Sequence, residues 1–108
     1  MHMQLSRKHT MILYEVSVNI RTDLSEAFER YMREKHIPDI WATQCFEKIH
    51  FDKVSPTHYR TCYQACTMVD YERYLEQHAT LMRADFMRHF PEDCNPSRLV
   101  LEVMQSWE

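Results

Sequence analysis

The chain contains no glycine. Among its 108 residues, about eight glycines would be expected at an average frequency of ~7%. P-loops and the Rossmann fingerprint both need glycine where the backbone closely approaches a phosphate, so both motifs are excluded. Glycine-based two-residue hairpin turns are excluded as well, and longer hairpin loops are expected. We therefore expect neither the commonest phosphate-cofactor chemistries nor a cofactor.

Other absences limit the partners and the location of the protein. No apolar run approaches the ~20 residues of a membrane span, and the first ten residues, MHMQLSRKHT, lack the apolar segment of a signal peptide. Lys and Arg number 13 against 16 Asp and Glu, a net charge of −3, which argues against a nucleic-acid-binding face. We expect a cytoplasmic protein without a membrane or nucleic-acid partner. Residues 1–10 are expected to be a poorly ordered extension, with Met11 as an alternative start, and 11–108 a single domain.

Cysteine spacing gives no metal or disulfide motif. The chain has four cysteines but no C-x-x-C pair. Cys62 and Cys66 lie in a predicted strand and would be roughly 13 Å apart at ~3.3 Å per residue. This separation is too long for one disulfide or one zinc ion. Reduced, half-buried thiols and no bound metal are expected.

Hydrophobic periodicity predicts six elements in the order β-α-β-β-α-β. The predicted strands cover residues 11–20, 43–54, 58–68 and 98–107, and the predicted helices run from Asp23 to His36 and from Asp70 to Phe90, with a break near Thr80. Pro38 disfavours helix at the preceding residue, although it also suits the first position of a short helical turn, PDIWA. The order predicts the split β-α-β arrangement, a ferredoxin-like α+β sandwich. Its four antiparallel strands lie in the order 4-1-3-2, with both helices on one face.

The sheet face without helices is the predicted self-association surface. Alternation assigns Leu13 and Glu15 of the first strand, and Val100, Glu102 and Met104 of the last, to this face. Such a mixed patch often binds a partner, and back-to-back packing of two copies would form a dimeric α/β barrel. Because the two strands are neighbours, Glu15 and Glu102 are predicted to lie close together, either as an acid–base pair or as two solvated carboxylates.

Three polar residues are predicted to meet between the sheet and the helices: Tyr14 on the first strand, His36 at the end of the first helix and His78 on the second. Histidine titrates near neutral pH and tyrosine can donate to an oxygen, so the set suits proton transfer. Aromatic walls would suit a flat apolar ligand. The aromatic residues assigned to this cleft are Trp41, Phe46 and Trp107. The alternative is structural, with His36 stabilised in its charged form at a helix C-terminus and His78 and Tyr14 packed in the core.

The segment RADFMRHF, residues 83–90, is interpreted as a solvated helix face. It carries Arg83 and Arg88 against Asp85. Asp85 and His89 have the four-residue spacing of helical metal ligands, but no third ligand accompanies them, so a charged pair is expected.

Four stretches together resemble a family of small bacterial domains, domain of unknown function 4286. They are ILYEVSVNI (12–20), YMREKHIPDIWATQCF (31–46), YLEQHATLMRADFMRHF (74–90) and SRLVLEV (97–103). The positions that match the family pattern are Tyr14, His36, Pro38, Ala42, Thr43, Phe46, His78 and Arg98. The chain departs from it at Gln44, where the family has glycine, at Thr80, where it has proline, and in lacking a glycine-rich second hairpin. The resemblance implies the dimeric α/β-barrel branch of ferredoxin-like folds and no established activity.

Three functions remain open from the sequence. The first is a homodimer with a cleft for a small apolar or aromatic molecule, in which His36 or His78 would be the general base of any reaction and Tyr14 the donor. The second is a non-enzymatic dimerisation or partner-binding module that works through the sheet face. The third, cofactor-independent oxygenation, depends on analogy with related barrel families, which also include heme-handling proteins.

Overall fold

The computed structural model describes residues 10–92 and 94–107, so the predicted N-terminal extension lies, except for Thr10, outside the described residues. The strands are β1 (Ile12–Asn19), β2 (Lys48–Ser55), β3 (His58–Ala65) and β4 (Ser97–Glu102). The helices are α1 (Ser25–Tyr31), α2 (Ile37–Trp41), α3 (Met68–Gln77) and α4 (Ala79–His89). A 3-10 turn (Thr22–Leu24) precedes α1, and a π-helical turn (Met32–His36) joins α1 to α2.

The four strands form an antiparallel sheet in the order β2-β3-β1-β4. This is the predicted order read from the other edge, so the predicted topology is confirmed. Successive strand residues point to opposite faces. Ile12 and Tyr14 of β1 are buried together with Ile40 of α2 and Tyr74 of α3. The helices of both halves of the chain therefore cover the same face of the sheet.

The core between sheet and helices is divided into two clusters. The first contains Tyr14, Phe46 and Tyr74, and the second contains Phe28 and Phe86 with their neighbours. Val16, half-buried in the middle of β1, packs against both clusters. The centre of β1 therefore lies at the seam between the two halves of the core.

The first helix does not end at His36 as predicted. The N–H of Ile37 donates to the carbonyl of Met32, five residues back, which is the wider spacing of a π-helical turn. Pro38 then lies in the first turn of α2, where a missing N–H is tolerated. The chain stays helical to Trp41, so His36 lies within a helix and the predicted C-terminal dipole does not act on it.

The helix starts also differ from the prediction. Asp23 makes an ion pair with Arg21 at 2.7 Å, and the 3-10 turn has no side-chain cap. Thr67, in extended conformation, is the N-cap of α3, and its Oγ1 accepts from the Asp70 N–H at 3.2 Å. Asp70 is thus three residues inside the cap, in the position that an acidic residue holds in a capping box.

The predicted pair Glu15 and Glu102 is wrong. The register opposes Tyr14 to Val100 and Ile12 to Glu102. Since opposed residues share a face, Val100 and Glu102 lie on the helix side of the sheet. Glu15 lies on the other side, so the two carboxylates do not meet.

The outer face of the sheet, the side away from the helices, carries Leu99 and Leu101 of β4. Leu101 is opposed to Leu13, and Leu99 shares this face, on which we define the outer leucine patch as Leu13, Leu99 and Leu101. Met104 lies beyond the end of β4 and is 89% exposed. All residues of β4 are exposed, so burial does not determine which alternate residues point outward. The pairing of β4 with β1 determines it.

Candidate functional site

A cavity lies at the seam between the two core clusters, among the sheet and the helices. Its volume is about 40 Å³, which is room for a few waters. The lining residues are Tyr14, Val16, Val18, Met32, His36, Ile40, Thr61, Tyr63, Tyr74, Met82, Arg83, Phe86, Pro96 and Arg98. Most of this lining is apolar or aromatic, and its described members include two arginines and no carboxylate.

Tyr14 meets Arg83 at the cavity. Nη2 of Arg83 donates to the Tyr14 hydroxyl at 3.2 Å, and the Tyr14 ring packs near Tyr71 at 5.4 Å between centroids. Burial acts to lower the pKa of Arg83, but the hydrogen bond to Tyr14 and the neighbouring tyrosines outweigh it and hold that pKa above its usual range. Arg83 is therefore a charged group inside the fold.

Arg83 has a further donor that is not used. Its Nε is buried, and no residue in the described ranges accepts a hydrogen bond from it. Buried donors are nearly always paired, because an unpaired one loses the water it bonded in the unfolded chain.

His36 reaches the cavity from the π-helical turn. Its Nδ1 lies 3.2 Å from the Tyr31 hydroxyl, and that hydroxyl donates to Oδ2 of Asp85 at 2.7 Å. Since the single Tyr31 proton is directed to the carboxylate, Nδ1 of His36 carries the proton of the shared contact and donates it to the Tyr31 oxygen. Nε2 is then the unprotonated nitrogen of a neutral ring.

Burial and neighbouring groups set the protonation states of His36 and Asp85. Burial lowers the pKa of His36 to about 4, against the attraction of Asp85. The hydrogen bond from Tyr31 holds the pKa of Asp85 below its usual range, with support from Arg88 at 2.8 Å. At neutral pH the structure therefore has a neutral imidazole beside the cavity and a carboxylate behind it.

Arg98 lies across the sheet from Val16 and is the second cationic residue of the lining. Arg98 is exposed, which places its side chain on the solvent side of the cavity. Within residues 10–92 and 94–107, the Arg98 side chain makes no hydrogen bond and no ion pair. Its guanidinium is thus available to a ligand.

The structure brings two of the three predicted polar residues together. Tyr14 and His36 both line the cavity, but His78 is not among its described lining residues. His78 lies at the junction of α3 and α4 with φ −130° and ψ −34°, and its ring stacks on Tyr74 with 6.4 Å between centroids. The break between α3 and α4 thus turns His78 away from the predicted meeting point.

The aromatic residues predicted to line the cleft lie elsewhere. Phe46 is buried in the first core cluster, between Tyr63 and Tyr74 at 5.3 and 5.0 Å. Trp41 is 52% exposed and lines an open groove beside β2, and Trp107 is 81% exposed. The cavity walls are instead tyrosine, valine and methionine side chains.

The sequence interpretation assigned neither Arg83 nor Arg98 to the cleft, and it placed Arg83 on a solvated face. α4 restarts after His78, and its inward positions are Ala79, Met82, Arg83 and Phe86. These follow the three- and four-residue spacing of a buried helix stripe. An arginine in such a stripe is a signal for a buried charge, but it is readable only once the break at His78 is known.

Two further kinds of site, a membrane-spanning helix and a metal cluster, are absent from residues 10–92 and 94–107. No helix there is long and apolar enough to cross a membrane. The same residues contain no group of three or more His, Cys, Asp or Glu side chains placed to hold a metal ion. Asp85 and His89 are joined instead by a contact of 2.8 Å between the imidazole Nδ1 and the Asp85 carbonyl.

Solved structures share this architecture at low sequence identity. A protein of unknown function from Nitrosomonas europaea is 13% identical with a TM-score of 0.70, covering 94% of this chain and 96% of its own. A dimeric ferredoxin-like protein from an uncultured marine organism is 9% identical with a TM-score of 0.73, covering 91% and 99%. SnoaB, a cofactor-independent oxygenase from Streptomyces nogalater, is 12% identical with a TM-score of 0.63, covering 89% and 95%. These likenesses establish a ferredoxin-like fold.

The family comparison goes further than the structural one. No curated protein matches the chain. The family described as Domain of unknown function (DUF4286) matches residues 11–104, which is nearly all of the described chain and includes every polar residue of the cavity. The protein therefore belongs to the DUF4286 family and has its ferredoxin-like fold.

Proposed function

We propose that the protein binds a small, largely apolar molecule in the cavity between sheet and helices. The observation that supports this most directly is the convergence of Tyr14, His36, Arg83 and Arg98 on one apolar cavity. Binding sites commonly combine apolar walls with a few polar groups that orient the ligand. A cavity that served only packing would not need two guanidinium groups.

Ligand entry requires the cavity to widen, because about 40 Å³ holds only a few waters. Met82 is half-buried in the lining, and methionine is unbranched and adapts to irregular spaces. Arg98 is exposed on an edge strand. We expect these two side chains to move aside as a ligand enters.

The test uses the methionine methyl groups of the chain as reporters. Met32 and Met82 line the cavity, whereas Met87 and Met104 are exposed and provide an internal control. Protein labelled with carbon-13 at the methionine methyls is titrated with aromatic acids, aromatic amides, quinones and heme. A binder should shift Met32 and Met82 and leave Met87 and Met104 unchanged. The proposal is wrong if no compound shifts the cavity methyls selectively.

Turnover is not part of this proposal. If a reaction does occur, the neutral His36 would be the general base and the Tyr14 hydroxyl, which accepts from Arg83, would be free to donate its proton to a substrate oxygen. The likeness to a cofactor-independent oxygenase at 12% identity supports the fold alone. Binding is therefore the function that the cavity itself favours.

We also infer that two copies associate through the outer leucine patch. None of the described helices covers this face, and Leu99 is 55% exposed. A solved structure of the same fold is described as dimeric. Both observations support a homodimer in which the two sheets pack back to back, leaving the cavity of each copy on its own helix side.

A further inference from the structure

We propose that the ligand of this cavity is a monocarboxylate with an apolar body, and that Arg83 and Arg98 bind its carboxylate. The inference rests on the proposed binding cleft and names the class of its ligand. It begins with the donors of Arg83, whose Nη2 bonds Tyr14 at 3.2 Å while the buried Nε has no acceptor among the described residues. A ligand oxygen at this Nε would satisfy it.

The charge of the cavity favours an anion. Arg83 and Arg98 both line it, and none of the described lining residues is acidic. Asp85, the carboxylate behind His36, is already bonded by Tyr31 and Arg88. Since a partly buried charge is costly without a counter-charge, an anionic ligand would offset the charge of Arg83 and could also pair with the exposed guanidinium of Arg98.

A carboxylate suits this site better than a phosphate. A guanidinium presents a planar fork of donors that pairs with the two oxygens of a carboxylate. Most of the remaining walls, Val16, Met82 and Phe86 among them, are apolar, and they suit a ring or chain better than the further oxygens and second charge of a phosphate. Neutral His36 adds no positive charge at pH 7, since its pKa is lowered to about 4 by burial.

The experiment compares benzoate, benzamide and phenyl phosphate, three probes that share a ring and differ in the polar group. Each is titrated into methionine-methyl-labelled protein, with Met32 and Met82 as the cavity reporters. We expect benzoate to bind more tightly than benzamide by about tenfold or more, since hydrogen bonds between charged groups are roughly twice as strong as neutral ones. Phenyl phosphate should bind more weakly than benzoate.

Variants identify the residues responsible. Arg83→Gln and Arg98→Gln should each weaken benzoate binding about tenfold and leave benzamide binding unchanged. Arg60→Gln is the matched control, because Arg60 lies on the outer face of the same sheet, 3.8 Å from Glu15. If Arg83→Gln fails to fold, Arg98→Gln, at an exposed strand position, still tests the charge.

The outcomes separate this inference from the proposed function. Equal binding of benzamide and benzoate at the cavity methyls would overturn the carboxylate and keep the cleft. Tighter binding of phenyl phosphate, or benzoate binding that survives both arginine variants, would also overturn it. If none of these probes and no compound of the wider panel shifts Met32 and Met82, both the inference and the cleft are wrong.

Discussion

His36 is a histidine that the fold keeps neutral. Its ring stacks on Tyr31, with 5.4 Å between centroids, and lies 5.7 Å from that of Phe86. Burial lowers its pKa to about 4, while Asp85 and Asp39 act to raise it and Lys35 and Arg98 to lower it further. The structural alternative drawn from the sequence, a charged imidazole at a helix C-terminus, is the opposite environment.

This lowered pKa predicts a pH dependence of stability. Below pH 6.5 the unfolded chain binds a proton at His36 that the folded chain does not take up until about pH 4. Unfolding is therefore favoured as the pH falls through this window, and stability is fully present above it. Between pH 7 and pH 5 the free energy of unfolding should fall by about 2 kcal/mol from this group. Urea denaturation at the two pH values measures it.

The matched control for this prediction is a histidine outside the core. His36→Gln should reduce the pH dependence, because glutamine does not titrate. His50→Gln, at an exposed position on β2, should leave it as in the parent chain. An unchanged slope in His36→Gln would show that other groups produce the dependence.

At single residues, local sequence patterns were enough to place Tyr14 and His36 between the sheet and the helices. Tyr14 follows from the alternation of β1, and His36 from its place beside the Pro38 break. Arg83 could not be found this way, because its inward direction depends on the backbone break at His78. The contact between Tyr31 and Asp85 joins residues 54 positions apart, a distance over which local spacing carries no information.

At the scale of elements, the end of the first helix shows how local rules compete. Pro38 predicted a stop, but the π-helical turn leads into α2, which contains the proline and ends at Trp41. A turn then follows and reaches Gln44. Gln44 has φ 60°, the left-handed conformation that often follows a helix C-terminus and that glycine adopts at least cost. Arg73 donates to the carbonyls of Thr43 and Gln44 at 3.3 and 3.0 Å, which satisfies acceptors at this end.

A glycine at this turn should stabilise the protein. Left-handed geometry costs a non-glycine residue about 1–2 kcal/mol, and part of this is offset by the greater entropy that glycine loses on folding. Gln44→Gly should therefore raise the free energy of unfolding by about 0.5–1 kcal/mol. Urea denaturation at pH 7 measures the change.

The control is a second exposed glutamine with ordinary helical geometry. Gln77 is the last residue of α3, where glycine has no steric advantage. Gln77→Gly should lower the free energy of unfolding, by up to about 1 kcal/mol. Two changes of the same sign would contradict the assignment of strain to Gln44.

The faces of β4 show the limit of alternation as evidence. The pattern correctly predicted a strand, but not which alternate residues face the helices. Leu99 and Val100 are both exposed. The two possible orientations of β4 would therefore bury similar amounts of apolar surface. Register is strongly specified only where one face is buried, and here the hydrogen bonds to β1 determine it.

At the scale of the whole molecule, the element order alone determined the topology. With six elements and no spare segment, few arrangements place each helix against the sheet without crossing connections. The observed order β2-β3-β1-β4 is the one predicted. What the order does not determine is how the outer face of the sheet is used, because the order concerns only contacts within one chain.

The homodimer proposal predicts a mass of twice 13.2 kDa by light scattering at tens of micromolar chain. Leu101, 36% exposed and opposed to Leu13, lies in the outer leucine patch. Leu101→Lys would place a charge there and should weaken association by at least about tenfold, or 1.4 kcal/mol. Leu81→Lys is the control, because Leu81 is 72% exposed on α4, on the opposite side of the molecule. A monomeric parent chain, or equal effects of the two lysines, would contradict the proposal, since of the two substituted leucines only Leu101 lies on the outer face of the sheet.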